Sequence, residues 1–76
     1  MLSESNYNKL APFKHRAELY VNHGIDIGGN TKEMADRYIE ITGSSICLSC
    51  SSEIGHALTV IYDLIKEYEN YENGST

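Results

Sequence analysis

Apolar positions in the second half of the chain recur in steps of three and four: Cys47, Cys50, Ile54, Ala57, Ile61, Leu64, Tyr68 and Tyr71, with Leu58 and Ile65 widening the stripe. This period predicts one long amphipathic helix. It starts near Ser45 or only at Ser49 to Ser51, where several residues are acceptable caps, and runs to about Tyr71. On this reading Cys47 and Cys50 sit in phase with the buried face. The helix spans roughly 30 Å at 1.5 Å per residue, about twice the length of either helix before it, so its far end should overhang the bundle.

Two shorter patterns precede it. Pro12 suits a first helical turn, and Leu10, Phe13, Ala17, Tyr20 and Val21 line one face of a helix over 12–23, with Lys14, Arg16 and Glu18 on the other. His23-Gly24 reads as a last turn followed by a Schellman-type glycine stop, with Ile25 placed for its hydrophobic contact. The connector Ile25-Asp26-Ile27-Gly28-Gly29-Asn30 has two apolar residues expected to tuck under the bundle. Its glycines lack the Gly-Lys-Ser/Thr or G-x-G-x-x-G context of a phosphate loop, which leaves a plain turn. Asn30 with Glu33 forms a capping signature for a second helix over 31–42, whose apolar positions are Met34, Ala35, Tyr38, Ile39 and Ile41, and Gly43 stops it. Residues 1–9 read as a loose arm or a short helical turn, and 73–76 as a disordered tail. The expected fold is a single all-α domain over 1–76, a compact three-helix bundle with a longer third helix and the C-x-x-C at the turn into it.

A chain of 76 residues buries only about 60% of its unfolded surface. A metal, a disulfide or a partner chain is then a natural supplement to the core, and a protein partner or self-association is expected. Eleven acids against six bases give a net charge of −5, and with no Lys/Arg cluster nucleic-acid binding is excluded as an expectation. No basic segment followed by an apolar run opens the chain, and no apolar stretch approaches the ~20 residues that span a bilayer. The expected setting is cytoplasmic, with no membrane association. In a reducing compartment the two cysteines are expected to be thiols or metal ligands.

Three chemistries fit the C-x-x-C. Two thiolates at this spacing are half of a tetrahedral zinc site, to be completed by His15 or His23, or by a second copy of the chain in a zinc-linked dimer. His56, about 600° around a helix from Cys50, would serve only if the first turn were unwound. A thioredoxin-like redox site would need a preceding strand and a cis-proline candidate, and the sole proline is Pro12. Two small polarisable side chains filling the tight end of a helical core is the remaining reading. No serine-histidine-acid set, carboxylate pair or H-E-x-x-H is present, so no enzyme activity is expected. The far end of the long helix instead combines Tyr62, Asp63, Glu67, Tyr68, Glu69 and Tyr71, a composition suited to docking a protein partner.

The run Tyr38-Ile39-Glu40-Ile41-Thr42-Gly43, followed by Cys47-Leu48-Ser49-Cys50 and an apolar helix, resembles a pattern in small uncharacterised proteins of tailed phages, including crAss-like phages. The resemblance covers Arg37 to Leu64. Those sequences carry a basic residue soon after the second cysteine, where this chain has Ser51, Ser52 and Glu53. It implies a phage accessory protein that binds a virion component or a host factor, located in the host cytoplasm or the virion. The function expected overall is that of a small acidic, non-catalytic interaction module, with the zinc-stabilised domain or dimer as alternative and a thiol redox protein third.

Overall fold

A computed structural model describes residues 2–74. Four α-helices follow one another: α1 (Glu4–Leu10), α2 (Lys14–His23), α3 (Thr31–Thr42) and α4 (Ser51–Gly74). A 3-10 turn, Ala11–Phe13, joins α1 to α2, and these three pieces form the first arm of a three-helix bundle. The second arm is α3, and α4 is the third and longest. No strand occurs among the described residues.

Residues 1–9, expected as a loose arm or a single turn, are instead largely α1. Ser3 caps it by accepting from the Asn6 N–H at 3.1 Å, and Glu4 and Lys9 stand at the ends of the helix that favour their charges. Leu2 and Leu10 are buried and Tyr7 is half-buried, so this short helix has an apolar face that docks it. Pro12 lies in the first positions of the 3-10 turn, where an N–H would have no partner within that turn. The regular helix therefore starts at Lys14, two residues later than expected.

The expected glycine stop after α2 is present. Gly24 takes φ +69°, and the N–H groups of Gly24 and Ile25 donate to the carbonyls of Tyr20 and Leu19 at 2.9 and 3.2 Å. Ile25 and Ile27 do not tuck under the bundle; they are 52% and 54% exposed. Asn30 is not a side-chain cap either. It sits in the left-handed region (φ 52°, ψ 32°) with no side-chain cap bond, whereas capping by Asn requires extended dihedrals. Within α3, Met34, Ala35 and Tyr38 are buried, Ile41 is half-buried and Ile39 faces water.

Helix α4 begins at Ser51, the latest of the expected starts, and continues to Gly74. Asn73 and Gly74 thus extend the helix where a tail was expected; Ser75 and Thr76, the rest of that tail, and Met1 lie outside the described residues. Ala57, Leu58, Ile61 and Ile65 are fully buried, while Ile54, Leu64 and Tyr68 are half-buried. The stripe is rotated from the expected one, centred near Ile61 and Ile65, with fully buried Leu58 at one edge and half-buried Leu64 towards the other. Each of these Leu and Ile side chains contributes about 1.5–3 kcal/mol by leaving water. Gly55 lets α2 close on α4, because a Cβ there would run into the Tyr20 ring. The expected overhang is covered by the first arm: Tyr7 stacks on Tyr68 with ring centroids 4.4 Å apart, and Glu69 accepts from the Tyr7 hydroxyl at 2.9 Å and from Lys14 Nζ at 2.6 Å.

Candidate metal centre

The connection between α3 and α4 holds both cysteines. Gly43, at φ +76°, ends α3, and the chain then runs without helical hydrogen bonds to a turn closed by the Cys50 N–H donating to the Cys47 carbonyl at 3.2 Å. The Cys50 carbonyl accepts from the N–H groups of Glu53 and Ile54 at 3.1 and 3.0 Å, which makes Cys50 the residue that enters α4. Neither thiol therefore rides on the helical seam, contrary to the phase of the sequence. The cause is local: Ser51 and Ser52 follow the turn, and the apolar stripe needs the helix only from Ile54 onwards.

From the first turn of α4, the Glu53 carboxylate reaches back and accepts from the Cys47 N–H at 3.2 Å. Side chain and turn are thereby held together across six residues. The Cys50 thiol donates to Cys47 Sγ at 2.7 Å, and Ser49 Oγ lies 3.3 Å from Cys47 Sγ. One ligand atom each from Cys47, Cys50 and Glu53 lies within 4.8 Å of the others. Both cysteines are free and half-buried, and Glu53 is exposed.

The two thiols are electrostatically unequal. Hydrogen bonds from the Cys50 thiol, then from the Ser49 hydroxyl and N–H, stabilise the Cys47 thiolate and lower its pKa. Donating that bond pushes the Cys50 thiol up to about 11, with desolvation and the charges of Cys47 and Glu53 acting in the same direction. These residues are positioned to hold a metal ion, with Cys47 as the readier thiolate.

His15 and His23, the ligands expected to complete a site, are exposed on α2 and are not members of this donor group. Glu53 was missed as a donor. Its signal was the C-x-x-E step from Cys50, which places an acid at the third helical position, where capping residues reach backwards. Glu53 also lines a cleft of about 240 Å³ together with Tyr38, Ser44, Ile46 and His56.

The expected docking residues are divided. Asp63, Glu67 and Tyr71 are exposed, and half-buried Tyr62 has Lys66 Nζ 5.7 Å from its ring centroid. Tyr68 and Glu69 are turned onto the first arm, as described above. Among the described residues no helix is long and apolar enough to cross a membrane. Compared with protein-family models, with curated proteins and with solved structures, the chain matches none.

Proposed function

We propose that this chain is a small zinc-binding helical domain in which the metal ties the exit of α3 to the entry of α4. The observation that carries this reading is the convergence of the Cys47, Cys50 and Glu53 donors within 4.8 Å on an otherwise loosely bonded connection. A tetrahedral zinc, with bonds of about 2.3 Å to sulfur and 2.1 Å to oxygen, separates its ligand atoms by roughly 3.5–3.8 Å. The thiol sulfurs, 2.7 Å apart in their hydrogen bond, would open by about 1 Å as both thiols release their protons to hold the metal as thiolates. Thiolate ligands favour zinc over magnesium or calcium, which take oxygen. Binding to the folded state alone then adds to the stability of a small core.

A second reading, docking of a protein partner along α4, is favoured by Tyr71, which is 56% exposed beside exposed Glu67. The two readings are compatible, since the cysteine turn lies at the other end of that helix.

Metal analysis of protein purified without chelator tests the zinc reading. Stoichiometric zinc in the native chain, lost in Cys47→Ser, is the expected result. Metal-free native protein that also fails to take up added zinc under reducing conditions would overturn it.

A further inference from the structure

Cys47, Cys50 and Glu53 supply three ligands, whereas protein-bound zinc takes four. Four ligands from the protein make a closed structural site; three, with water in the last position, make an open one able to do chemistry. The identity of the fourth ligand thus decides what the metal does. We infer that His56 is that ligand, so that zinc is held by one chain through Cys47, Cys50, Glu53 and His56 in a closed structural site. This rests on the zinc reading above.

Glu53 and His56 stand three residues apart on α4. Side chains at that spacing are surface neighbours, with Cβ atoms about 5–6 Å apart, and a Glu-x-x-His pair on one helix is a recurring way to present a carboxylate and an imidazole to the same metal centre. Here the two residues line one cleft. The imidazole is exposed, and among the described residues its side chain has no hydrogen bond or ion pair to give up. His56 stands outside the donors that already lie within 4.8 Å of one another, and neither cysteine lines the cleft it shares with Glu53, so joining them requires its imidazole to swing towards the carboxylate.

Helical phase would set His56 against this role if the cysteines were helical, because it would then point about 600° around the axis from Cys50. The cysteines instead precede α4 in a turn that folds back until the Cys47 N–H meets the Glu53 carboxylate. Only Glu53 and His56 need to share the helix, and for them the phase is favourable. The competing fourth position is a second copy of the turn, with four thiolates shared between two chains.

Chelator-treated, reduced full-length chain titrated with zinc, and in parallel with cobalt(II), separates these cases. The expected result is one metal per chain, a monomeric mass with metal bound, and a tetrahedral cobalt spectrum. His56→Ala, at an exposed position, should leave the circular dichroism of the metal-free chain unchanged, weaken zinc binding at least 10-fold and shift the cobalt bands; His15→Ala should change nothing. Native affinity in His56→Ala, or one metal per two chains with dimerisation, overturns the assignment of His56. Where Cys47→Ser abolishes binding and His56→Ala does not, zinc binding stands and His56 alone falls. Failure of the native chain to bind zinc removes both.

Discussion

Between α2 and α3 the chain wraps its turn around a buried cation, whereas between α3 and α4 it gathers two thiols and a carboxylate with no Lys or Arg bonded to them among the described residues. Arg16 is 5% exposed. Its guanidinium donates to both oxygens of Asp26 at 2.7 and 3.1 Å, to the Gly29 carbonyl at 2.8 Å and to the Thr31 hydroxyl at 3.1 Å. Asp26 in turn accepts from the Gly28 N–H at 3.0 Å. The first connection is thus paired within the chain, its charge neutralised and four of the five guanidinium N–H groups bonded. The second presents acceptors that become negative as the thiols ionise, a set positioned to hold a metal ion. If the proposed zinc binds, one bundle fixes its two turns by different means.

The largest effects should follow from removing each fixing element. Arg16→Met leaves the Gly29 carbonyl, the Thr31 hydroxyl and the partly exposed Asp26 carboxylate without their shared donor, and should lower unfolding free energy by about 3 kcal/mol in urea titrations, with or without chelator. Cys47→Ser should instead lose only the metal-dependent part, about 2.7 kcal/mol when free zinc exceeds the dissociation constant 100-fold. In chelator it should match the native chain closely. Equal losses for Cys47→Ser in zinc and in chelator would mean that the thiol serves packing, and the contrast between the connections would collapse.

Backbone conformation separates the two turns at smaller scale. Gly28, Gly29 and Asn30 all take positive φ, at 72°, 85° and 52°. A Cβ on Gly28 would meet nothing within 4 Å, so Gly28→Ala should cost about 1 kcal/mol through the left-handed backbone alone. In the cysteine turn, residues 44–49 include no positive φ, and Leu48 is 47% exposed. Leu48→Ala should stay within about 0.5 kcal/mol in the same urea experiment. A larger loss at Leu48 than at Gly28 would reverse the assignment of strain to the first connection.

The same contrast explains what could be read in the residues beforehand. The three arms of the bundle, their order and the greater length of α4 follow from apolar periodicity, and the stops at Gly24 and Gly43 follow from glycine's access to positive φ. Periodicity failed where the partners of a side chain are distant or non-helical. Helical phase puts Arg16 on the face opposite the apolar one and says nothing of its burial, because its acceptors lie 10 to 15 residues ahead, in a segment whose shape no local pattern specifies. Cys47 and Cys50 kept step with the heptad and yet lie outside the helix, since the spacing counts residues and not hydrogen bonds. Tyr68, in phase with the apolar stripe, and Glu69 also read as docking residues, because the docking of α1 depends on three spaced apolar residues, Leu2, Tyr7 and Leu10, too few to show a period.

The smallest expected difference is in acid. The Arg16 guanidinium, with lesser help from the Gly28 N–H, holds the Asp26 carboxyl below its usual range against the opposing effect of burial. A carboxyl whose pKa is lower folded than unfolded stabilises the fold above the unfolded value of about 3.9, and that contribution is lost as pH falls through the folded value. Stability should therefore decline below about pH 4, and Asp26→Asn should flatten part of this acid limb. With the Asp26 side chain 34% exposed, solvent screening limits the contribution to under about 1 kcal/mol. Glu69, held down chiefly by Lys14, titrates on the same limb, so Asp26→Asn combined with Glu69→Gln should flatten more of it than either substitution alone. Following chemical denaturation from pH 6 to pH 2 in chelator keeps the cysteine turn out of the measurement. An acid limb as steep in the double variant as in the native chain would show that the internal ion pairs of the first arm do not govern it.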